Sequence, residues 1–427
     1  MQKHDSTGNT LLVFISISIF MFAITFYLLV RYVSQTQTPI QIDNQIKQAV
    51  EPQLSISGAN QFGIAPGCCA SPSEVQNYKL IGAKWIRFDV NWAVVQSGGS
   101  NSYNWTSTDQ VMEQANRDGL KIIAALTYAP GWAGRSDCDS PRCAPADDKM
   151  DEFAAFAKKA AERYDGDGIE DDPEHVKIDF WEIWNEGNIS WGWSPKADVS
   201  AYTRLLKLTT PVIKQANSSA YILTTGLAPA STSQSNYKPT DFLKGIYQNG
   251  GKDYFDGVAM HPYSSGMYPD HQATWNAWQQ MDNTFGGTQD SLRSVMITNG
   301  DEAKKIWATE YGIPTGGTDD KSVSQSEQAL ILKKAFELWK TYPWAAVLTW
   351  YNYKDVNTGG SSIHDNYGLT KTDGTPKESL AMYRQLMSDF SISPTATIAP
   401  TGKDTPTPLP PPPSPTPTIR PTNTPTP

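Results

Sequence analysis

The chain has 427 residues, of which 39% are hydrophobic and 11% aromatic. It can therefore bury a large core, and disorder throughout is excluded. It carries 35 lysine and arginine residues against 44 aspartate and glutamate residues, a net charge of −9 at pH 7. This mild acidic excess argues against a nucleic-acid-binding protein, because such proteins normally present a basic face.

Residues 11–30 are apolar and contain no charged side chain. As a helix, a segment of this length spans about 30 Å, the thickness of the hydrocarbon core of a membrane. We predict an uncleaved transmembrane signal anchor, with residues 1–10 in the cytoplasm and the remainder outside, as a single-pass cell-membrane protein. A cleaved signal peptide is the alternative. Lys3 and Arg31 flank the two ends of the segment and do not decide its orientation.

The two segments that flank the central part of the chain have the composition of linkers. Residues 31–59 are polar and rich in glutamine, which predicts a stalk. Residues 391–427 are rich in proline and threonine, and the last 28 residues hold 12 of the 30 prolines. Such a tail is expected to be an extended, disordered chain without a packed core. The intervening residues 60–390 are predicted to form one globular domain.

Apolar runs alternate with helical patterns along this domain. We predict eight strands, at Phe62–Ile64, Trp85–Val90, Ile122–Thr127, Ile178–Trp184, Tyr221–Thr225, Phe255–Met260, Ile306–Thr309 and Ala346–Trp350. The clearest helices are predicted at Asp109–Asp118, Met150–Tyr164, Val199–Asn217 and Ser326–Lys340, with Asp109 and Ser326 as candidate N-caps. This alternation predicts a (β/α)₈ TIM barrel. A doubly wound open sheet is the alternative, and the lack of a glycine-rich phosphate motif after the first strand weakens it.

Two of the predicted strands carry a glutamate at their carboxyl ends, where the chemistry of such barrels takes place. The fourth strand leads into Asn185 and Glu186, and the seventh ends at Glu310. Carboxylates on these strands can face each other across the mouth of the barrel. Glycoside hydrolysis requires such a pair, one to protonate the leaving oxygen and one to attack the anomeric carbon.

Further polar residues are predicted at the same end of the barrel. Arg87, Asp89 and Asn91 share one face of the second strand. An arginine among apolar strand residues needs a carboxylate partner, and the pair would keep that carboxylate ionised. The alternative is a purely structural ion pair. His261 and Tyr263 follow the sixth strand. His261 is a candidate for binding a sugar hydroxyl, with a core histidine as the alternative. Tyr263 is a candidate for a hydrogen bond to the nucleophile.

Two more residues are assigned from their strand positions. Trp350 ends the eighth strand and is a candidate floor for a sugar ring, with simple core packing as the alternative. Glu182 has the same strand parity as Glu186, so we expect it to point into the barrel interior and to be structural.

The chain contains four cysteines. An even number in an exported protein suggests disulfides. Cys138 and Cys143 close a short loop and form the favoured pair, in the loop after the third strand. Cys68 and Cys69 would form a strained bridge with each other, so cross-pairing with the other two remains open. Four free thiols are the remaining alternative.

Together these segments resemble the retaining glycoside hydrolases of the large (β/α)₈ clan whose acid/base and nucleophile lie on strands four and seven. The sequence most resembles family 39, which contains β-xylosidase-type and bacterial exopolysaccharide glycosidases, and next the family 5 cellulase-like enzymes. The resemblance covers residues 60–390. It rests on GAKWIRFDVNW at 82–92, KIIAALTYAPGWA at 121–133, IDFWEIWNEGN at 178–188, VAMHPYS at 258–264, ATEYG at 308–312, LTWYNYKD at 348–355 and DNYGLTKTDGTPKESLAMY at 365–383.

The resemblance implies a role for each matching residue. Glu186 would be the general acid/base and Glu310 the nucleophile, while Asn185 would hydrogen-bond the sugar 2-hydroxyl. The remaining residues that would shape the subsite around the cleaved bond are Arg87, His261, Tyr263 and Trp350. In a retaining enzyme the two carboxyl groups should be roughly 5–5.5 Å apart, and the nucleophile should be ionised before attack.

Other features near the strand ends have weaker interpretations. Trp92, Trp132, Trp191 and Trp193 are candidates for outer sugar subsites. A tryptophan-lined groove would favour endo cleavage of a polymer. The acidic loop at 165–172 resembles part of a calcium-binding loop but lacks its ligand spacing, so a solvated turn is the preferred interpretation and no metal is predicted.

We therefore expect a monomeric, outward-facing retaining glycosidase without a cofactor. It would act on β-linked sugars of an extracellular polysaccharide or oligosaccharide, and would bind no nucleic acid. The alternative is a barrel that has lost catalysis and serves as a carbohydrate-binding or surface-scaffold protein. Sequence spacing does not name the sugar.

Overall fold

The computed structural model describes residues 56–67, 70–273, 276–282, 290–318 and 320–392. The predicted anchor at 11–30, the predicted tail at 391–427 except its first two residues, and Cys68 and Cys69 lie outside these ranges. Within the part of the chain that is described, none of the helices has the length and apolar character needed to traverse a bilayer.

Eight parallel strands close into a barrel in chain order, which confirms the predicted architecture. The eighth strand pairs with the first through Phe62 and Leu348. All eight predicted strands are present, with ends shifted by a few residues. They are β1 Phe62–Gly67, β2 Trp85–Asn91, β3 Lys121–Thr127, β4 Phe180–Ile183, β5 Tyr221–Leu223, β6 Gly257–Met260, β7 Lys305–Tyr311 and β8 Ala345–Trp350.

Helices connect the strands and cover the outside of the barrel. The described helices are α1 Pro72–Leu80, α2 Trp92–Val95, α3 Thr106–Arg117, α4 Met150–Arg163, α5 Val199–Ala216, α6 Pro239–Gln248, α7 Ala277–Met281, α8 Leu292–Thr298, α9 Gln325–Trp339 and α10 Glu378–Ile392. Short 3-10 turns lie at Gly58–Gln61, Asp147–Lys149, Lys252–Tyr254 and Ile363–Asp365.

Both predicted N-caps are wrong by a few residues. α3 begins at Thr106, so Asp109 lies in its first turn, where its carboxylate accepts hydrogen bonds from Arg163 on α4 at 2.7 and 2.8 Å. α9 is capped by Ser324 rather than Ser326, in a reciprocal capping box with Glu327. The box satisfies two backbone N–H groups at once, which explains why the helix starts one residue earlier.

Aromatic side chains fill the amino-terminal end of the barrel. The rings of Trp85, Phe180 and Trp307 contact one another, with centroids 4.9 to 5.7 Å apart. Gly257 leaves room for this cluster, because a Cβ atom there would lie 2.8 Å from Nε1 of Trp307. The cluster closes this end of the barrel, so a ligand can reach the interior only from the carboxyl ends of the strands.

Candidate active site

Glu186 and Glu310 meet at the carboxyl ends of β4 and β7. A carboxylate oxygen of each lies within 4.8 Å of the other and of a ring nitrogen of His261. Glu186 is half-buried, and Glu310 is 9% exposed. The structure therefore brings together the two carboxylates that the sequence placed on separate strands.

The backbone that carries Glu186 is held in an unusual conformation. Trp184 and Glu186 have φ angles of 73° and 52°, in the left-handed region that residues with a Cβ atom rarely adopt. The N–H of Glu186 donates to the carbonyl oxygen of Gly226 at 3.1 Å. Such strain persists only where the surroundings enforce it and clusters at functional sites. Here it turns the Glu186 side chain into the mouth of the barrel.

Glu310 is held in an ionised form. Arg87 Nη1 donates to its Oε1 at 2.8 Å, and the hydroxyl of Tyr263 donates to its Oε2 at 2.8 Å. Burial by itself would raise the pKa of Glu310, but the charges of His261 and Arg87 and the hydrogen bond from Tyr263 outweigh burial and lower it. A buried carboxylate with a lowered pKa is suited to act as a nucleophile.

Arg87 connects three strands through its guanidinium group. It donates to both oxygens of Glu182 at 3.3 and 2.9 Å, to Asp89 at 3.1 Å and to Oδ1 of Asn185 at 2.7 Å, besides its bond to Glu310. The predicted need of a buried arginine for carboxylate partners is thus met. Glu182 is fully buried and also accepts the N–H of Gly226, which agrees with a structural role.

Asn185 is fixed at both ends of its amide. Its Oδ1 accepts from Arg87, and its Nδ2 donates to the hydroxyl of Tyr128 at 2.8 Å. Because the amide carries two N–H bonds, one remains for another partner. Asn185 lines the same pocket as the two glutamates, at a position that suits contact with a sugar hydroxyl.

His261 lies beside the acid/base candidate. Its Nδ1 is 3.1 Å from Oε1 of Glu186 and 3.6 Å from Oε2 of Glu310. Burial disfavours the charged imidazole, but the two carboxylates outweigh burial and raise the pKa of His261. The ring is packed against Gly226, where a Cβ atom would lie 2.1 Å from Nε2. This glycine is therefore required for the position of the histidine.

The sequence analysis did not select Asp89 as a site residue, although its strand parity placed it beside Arg87. It lines the pocket, and one of its oxygens accepts from Arg87. Burial is the largest effect on this carboxyl. Arg87 lowers the pKa of Asp89, but burial and the nearby charges of Glu310 and Glu182 outweigh it and raise this pKa to about 6.

The pocket has a volume of about 520 Å³, and aromatic rings make up much of its wall. The prediction that Trp350 forms the floor of the pocket is wrong, because its side chain is completely buried and packs edge-on against Tyr311. The next residue, Tyr351, lines the pocket instead. Successive strand residues point to opposite faces, so an error of one position exchanges pocket and core. The other lining residues missed by the sequence analysis include Tyr128, Arg142, His364 and Tyr367.

Among the tryptophans proposed for outer subsites, Trp191 lines the pocket and is 49% exposed. Trp92 and Trp193 are buried in the core instead. Trp132 is half-buried, packs edge-on against Trp92 and does not line the pocket among the described residues. A continuous row of tryptophans along the pocket is therefore not formed by these four residues.

Cys138 and Cys143 form the expected disulfide, with Cα atoms 5.8 Å apart. The bridge lies in the loop between β3 and α4. Cys143 also pairs in parallel with Ser194, which belongs to the loop after β4. The disulfide therefore stabilises a segment that borders the pocket at Pro141 and Arg142.

Two groups of described residues place possible metal ligands within 4.8 Å of one another. The first consists of Glu186, His261 and Glu310, which form the site itself. The second consists of Asp165, Asp167 and Asp171 in the acidic loop before β4. These aspartates accept hydrogen bonds from backbone N–H groups of the same loop.

The fold is similar to that of solved glycoside hydrolases. A family 39 glycoside hydrolase from Bacteroides cellulosilyticus aligns at 21% identity over 77% of this chain and 63% of its own, with a TM-score of 0.59. A monomeric β-xylosidase from Caulobacter crescentus aligns at 19% identity over 78% of this chain and 69% of its own, with a TM-score of 0.58. The enzyme GH5_18 from Streptomyces cattleya, solved with GlcNAc, aligns at 13% identity over 80% of this chain and 82% of its own, with a TM-score of 0.58.

These likenesses confirm the resemblance at the level of the fold. This chain spans less than two thirds of the length of the B. cellulosilyticus enzyme that it matches. No protein-family model matches the sequence, and no curated protein matches it.

Proposed function

We propose that the protein is a retaining glycosidase that cleaves β-linked O-glycosidic bonds of an extracellular polysaccharide or oligosaccharide. The observation that carries the proposal is the contrast between two neighbouring carboxylates. Glu310 is bound by Arg87 and Tyr263 and has a lowered pKa, whereas Glu186 is half-buried and contacts only His261 among the described hydrogen-bond partners of its side chain.

The close approach of the two carboxylates supports the retaining mechanism. Their oxygens lie within 4.8 Å, whereas inverting enzymes keep their carboxyl groups roughly 6.5–9.5 Å apart to admit a water molecule. The shorter separation allows Glu310 to reach the anomeric carbon while Glu186 reaches the leaving oxygen.

The reaction would proceed in two displacements. Glu310 attacks the anomeric carbon, and an ester bond forms as the bond to the leaving oxygen breaks, with the proton of Glu186 passing to that oxygen. Water then attacks the same carbon and gives its proton to Glu186, which frees the Glu310 carboxylate. Arg87, Tyr263 and His261 stabilise the negative charge of Glu310 before attack and after its release.

The proposed location is the outer face of the cell membrane. The apolar segment at 11–30 supports an anchor. The disulfide between Cys138 and Cys143 supports an oxidising compartment, because such bonds are rare in the cytosol. Protease added to intact cells should then digest the domain, and a domain that is cut only after lysis would contradict this location.

The activity is tested by reducing-sugar release from β-linked polysaccharides and aryl β-glycosides with the full chain. Glu310→Gln should abolish turnover, and Glu186→Gln should lower kcat by about 10²- to 10⁴-fold on substrates with poor leaving groups. Glu337→Gln on the exposed side of α9 is the matched control and should behave as wild type. Turnover that survives in Glu310→Gln would refute the mechanism.

The stereochemistry and the alternative function need separate measurements. Proton NMR of the first product should show the anomer of the substrate, and the opposite anomer would refute retention. A folded wild-type chain that binds oligosaccharides without cleaving any of them would favour the alternative, a catalytically inactive carbohydrate-binding or scaffold protein.

A further inference from the structure

Arg142 is a pocket cation that the proposed reaction does not use. It lies in the disulfide-bridged loop after β3, and its side chain is half-buried. It is the only lysine or arginine among the described residues that line the pocket. Its guanidinium lies 3.6 Å from the ring centroid of Trp191 and 5.6 Å from that of Tyr128.

The three carboxylates that line the pocket form ion pairs with Arg87 or His261 and not with Arg142, and the buried Nε of Arg142 forms no hydrogen bond with the described residues. Partly buried charges are normally paired, so an unpaired arginine at the wall of an acidic site needs an explanation. The aromatic rings stabilise its flat faces through cation–π contacts. Its N–H groups point outward in the plane of the guanidinium, where they can bind a ligand.

The backbone holds Arg142 in a fixed position. Its carbonyl oxygen accepts from the N–H of Ser194 at 3.1 Å, and the neighbouring Cys143 is tied both to Cys138 and to Ser194. Two loops of the barrel are thereby joined beside the pocket. A cation that is fixed before the ligand arrives loses little conformational entropy on binding.

The position of Arg142 also indicates which part of a substrate it meets. Arg142 and Trp191 belong to the loops after β3 and β4, and Glu186 lies on the latter loop. Glu310 lies on the opposite side, in β7, and Tyr351 directly follows β8. Because the acid/base delivers its proton to the leaving group, residues on its side of the pocket face the sugar that departs.

We propose that Arg142 and Trp191 form a subsite for a sugar with an anionic group, a carboxylate or a sulfate ester, on the leaving-group side of the cleaved bond. Trp191 offers an exposed ring face for the sugar, and Arg142 pairs with the anion. Arginine suits this task because its planar fork matches carboxylate and sulfate oxygens bidentately. The inference rests on the proposed glycosidase function for its assignment to one side of the bond.

The test is a binding measurement with the full chain carrying Glu310→Gln, which prevents turnover. The probes are β-linked gluco-, galacto- and manno-tetrasaccharides, each neutral, oxidised at C6 to the uronic acid, or 6-O-sulfated. At least one anionic form should bind about tenfold or more tightly than its neutral parent, as expected for a hydrogen-bonded charge pair. The two anionic series identify whether a carboxylate or a sulfate is preferred.

Arg142→Gln in this background should remove the preference for the anion, so that the anionic form loses more affinity than its neutral parent. Arg142→Lys should retain part of the preference. Arg135→Gln is the matched control, since it removes a charge from the same loop at a residue that pairs with Asp137 outside the pocket. Equal binding of neutral and anionic forms, a preference that survives Arg142→Gln, or no binding by the folded protein would overturn the inference.

The outcomes separate this inference from the proposed function. If the wild-type chain cleaves glycosides but shows no Arg142-dependent anion preference, only the subsite is wrong. If the anion preference is present but no substrate is cleaved, the subsite exists and the glycosidase function is wrong.

Discussion

Replacing Tyr263 by phenylalanine removes one of the two direct hydrogen bonds to the proposed nucleophile. The tyrosine hydroxyl donates to Oε2 of Glu310 at 2.8 Å, while Arg87 occupies the other oxygen. The ring itself packs edge-on against Tyr351 and Tyr367, with centroids 6.5 and 5.8 Å away, and phenylalanine retains these contacts. The substitution therefore changes the charge balance of the carboxylate and leaves the pocket wall in place.

The expected magnitude follows from the type of bond. A hydrogen bond to a charged group contributes about 1.5–3 kcal/mol, equivalent to a factor of about 10 to 150 in the acid dissociation constant of Glu310. Because Tyr263 lowers the pKa of Glu310, its removal raises that pKa. The nucleophile must be ionised, so activity is lost as pH falls through its pKa. The acid limb of the kcat/KM profile should therefore move to higher pH.

The assay is a pH profile of kcat/KM for wild type and Tyr263→Phe on the glycoside that the wild type cleaves. Tyr342→Phe is the control, because this tyrosine stacks on Trp344 in the core away from the pocket. Its profile should overlay that of the wild type. An acid limb in Tyr263→Phe that stays in place, or that moves to lower pH, would refute the assignment of Glu310 as the ionised nucleophile.

Three further predictions follow from the site. Gly226→Ala should lower kcat sharply, because the added carbon would lie 2.1 Å from Nε2 of His261; a fully active variant would show that the position of His261 is unimportant. The pKa of Asp89 is about 6 in the folded state, against an ordinary 3.8, so this carboxyl group stabilises the folded state below pH 3.8. The free energy of unfolding should therefore fall by about 3 kcal/mol as the pH rises from 3.8 through 6. Asp89→Asn should remove this pH dependence in denaturant unfolding, and an unchanged dependence would contradict it. Cys138→Ser should lower the free energy of unfolding by about 2 kcal/mol, since the bridge to Cys143 closes a short loop, and reduction of wild type should match it.

The barrel could be predicted because its signals are local and repeated. Each strand is a short apolar run that a helical pattern follows, and all eight runs occur in the structure. It could also be predicted from the sequence that Arg87, Glu186 and Glu310 lie close together. Strand ends of a parallel barrel converge, so polar residues at those ends come together even when more than 200 positions separate them along the chain, as Arg87 and Glu310 show with their separation of 223.

The remainder of the pocket depends on loop conformations that have no periodicity to reveal them. Tyr351 lines the pocket and Trp350 does not, because neighbouring residues at the end of β8 point to opposite faces. Arg142 lines the pocket from a loop that is held by a disulfide and by a pairing with Ser194. The spacing of the two cysteines predicted their bridge, but it did not indicate that Arg142 would line the pocket. The start of the helix at Gln325 likewise depends on the side-chain bonds of its capping box rather than on hydrophobic pattern.

Arg87 explains how the site assigns different roles to chemically identical side chains. A single buried cation is surrounded by Glu182, Asp89 and Glu310, and it cannot neutralise all three. Glu310 accepts hydrogen bonds from Arg87 at 2.8 Å and from Tyr263, and the charges of His261 and Arg87 help to lower its pKa. Asp89 receives a longer bond of 3.1 Å and has a raised pKa, while Glu182 is further satisfied by a backbone N–H. Arg87, His261 and Tyr263 together therefore distinguish the nucleophile, whose pKa is lowered, from Asp89, whose pKa is raised.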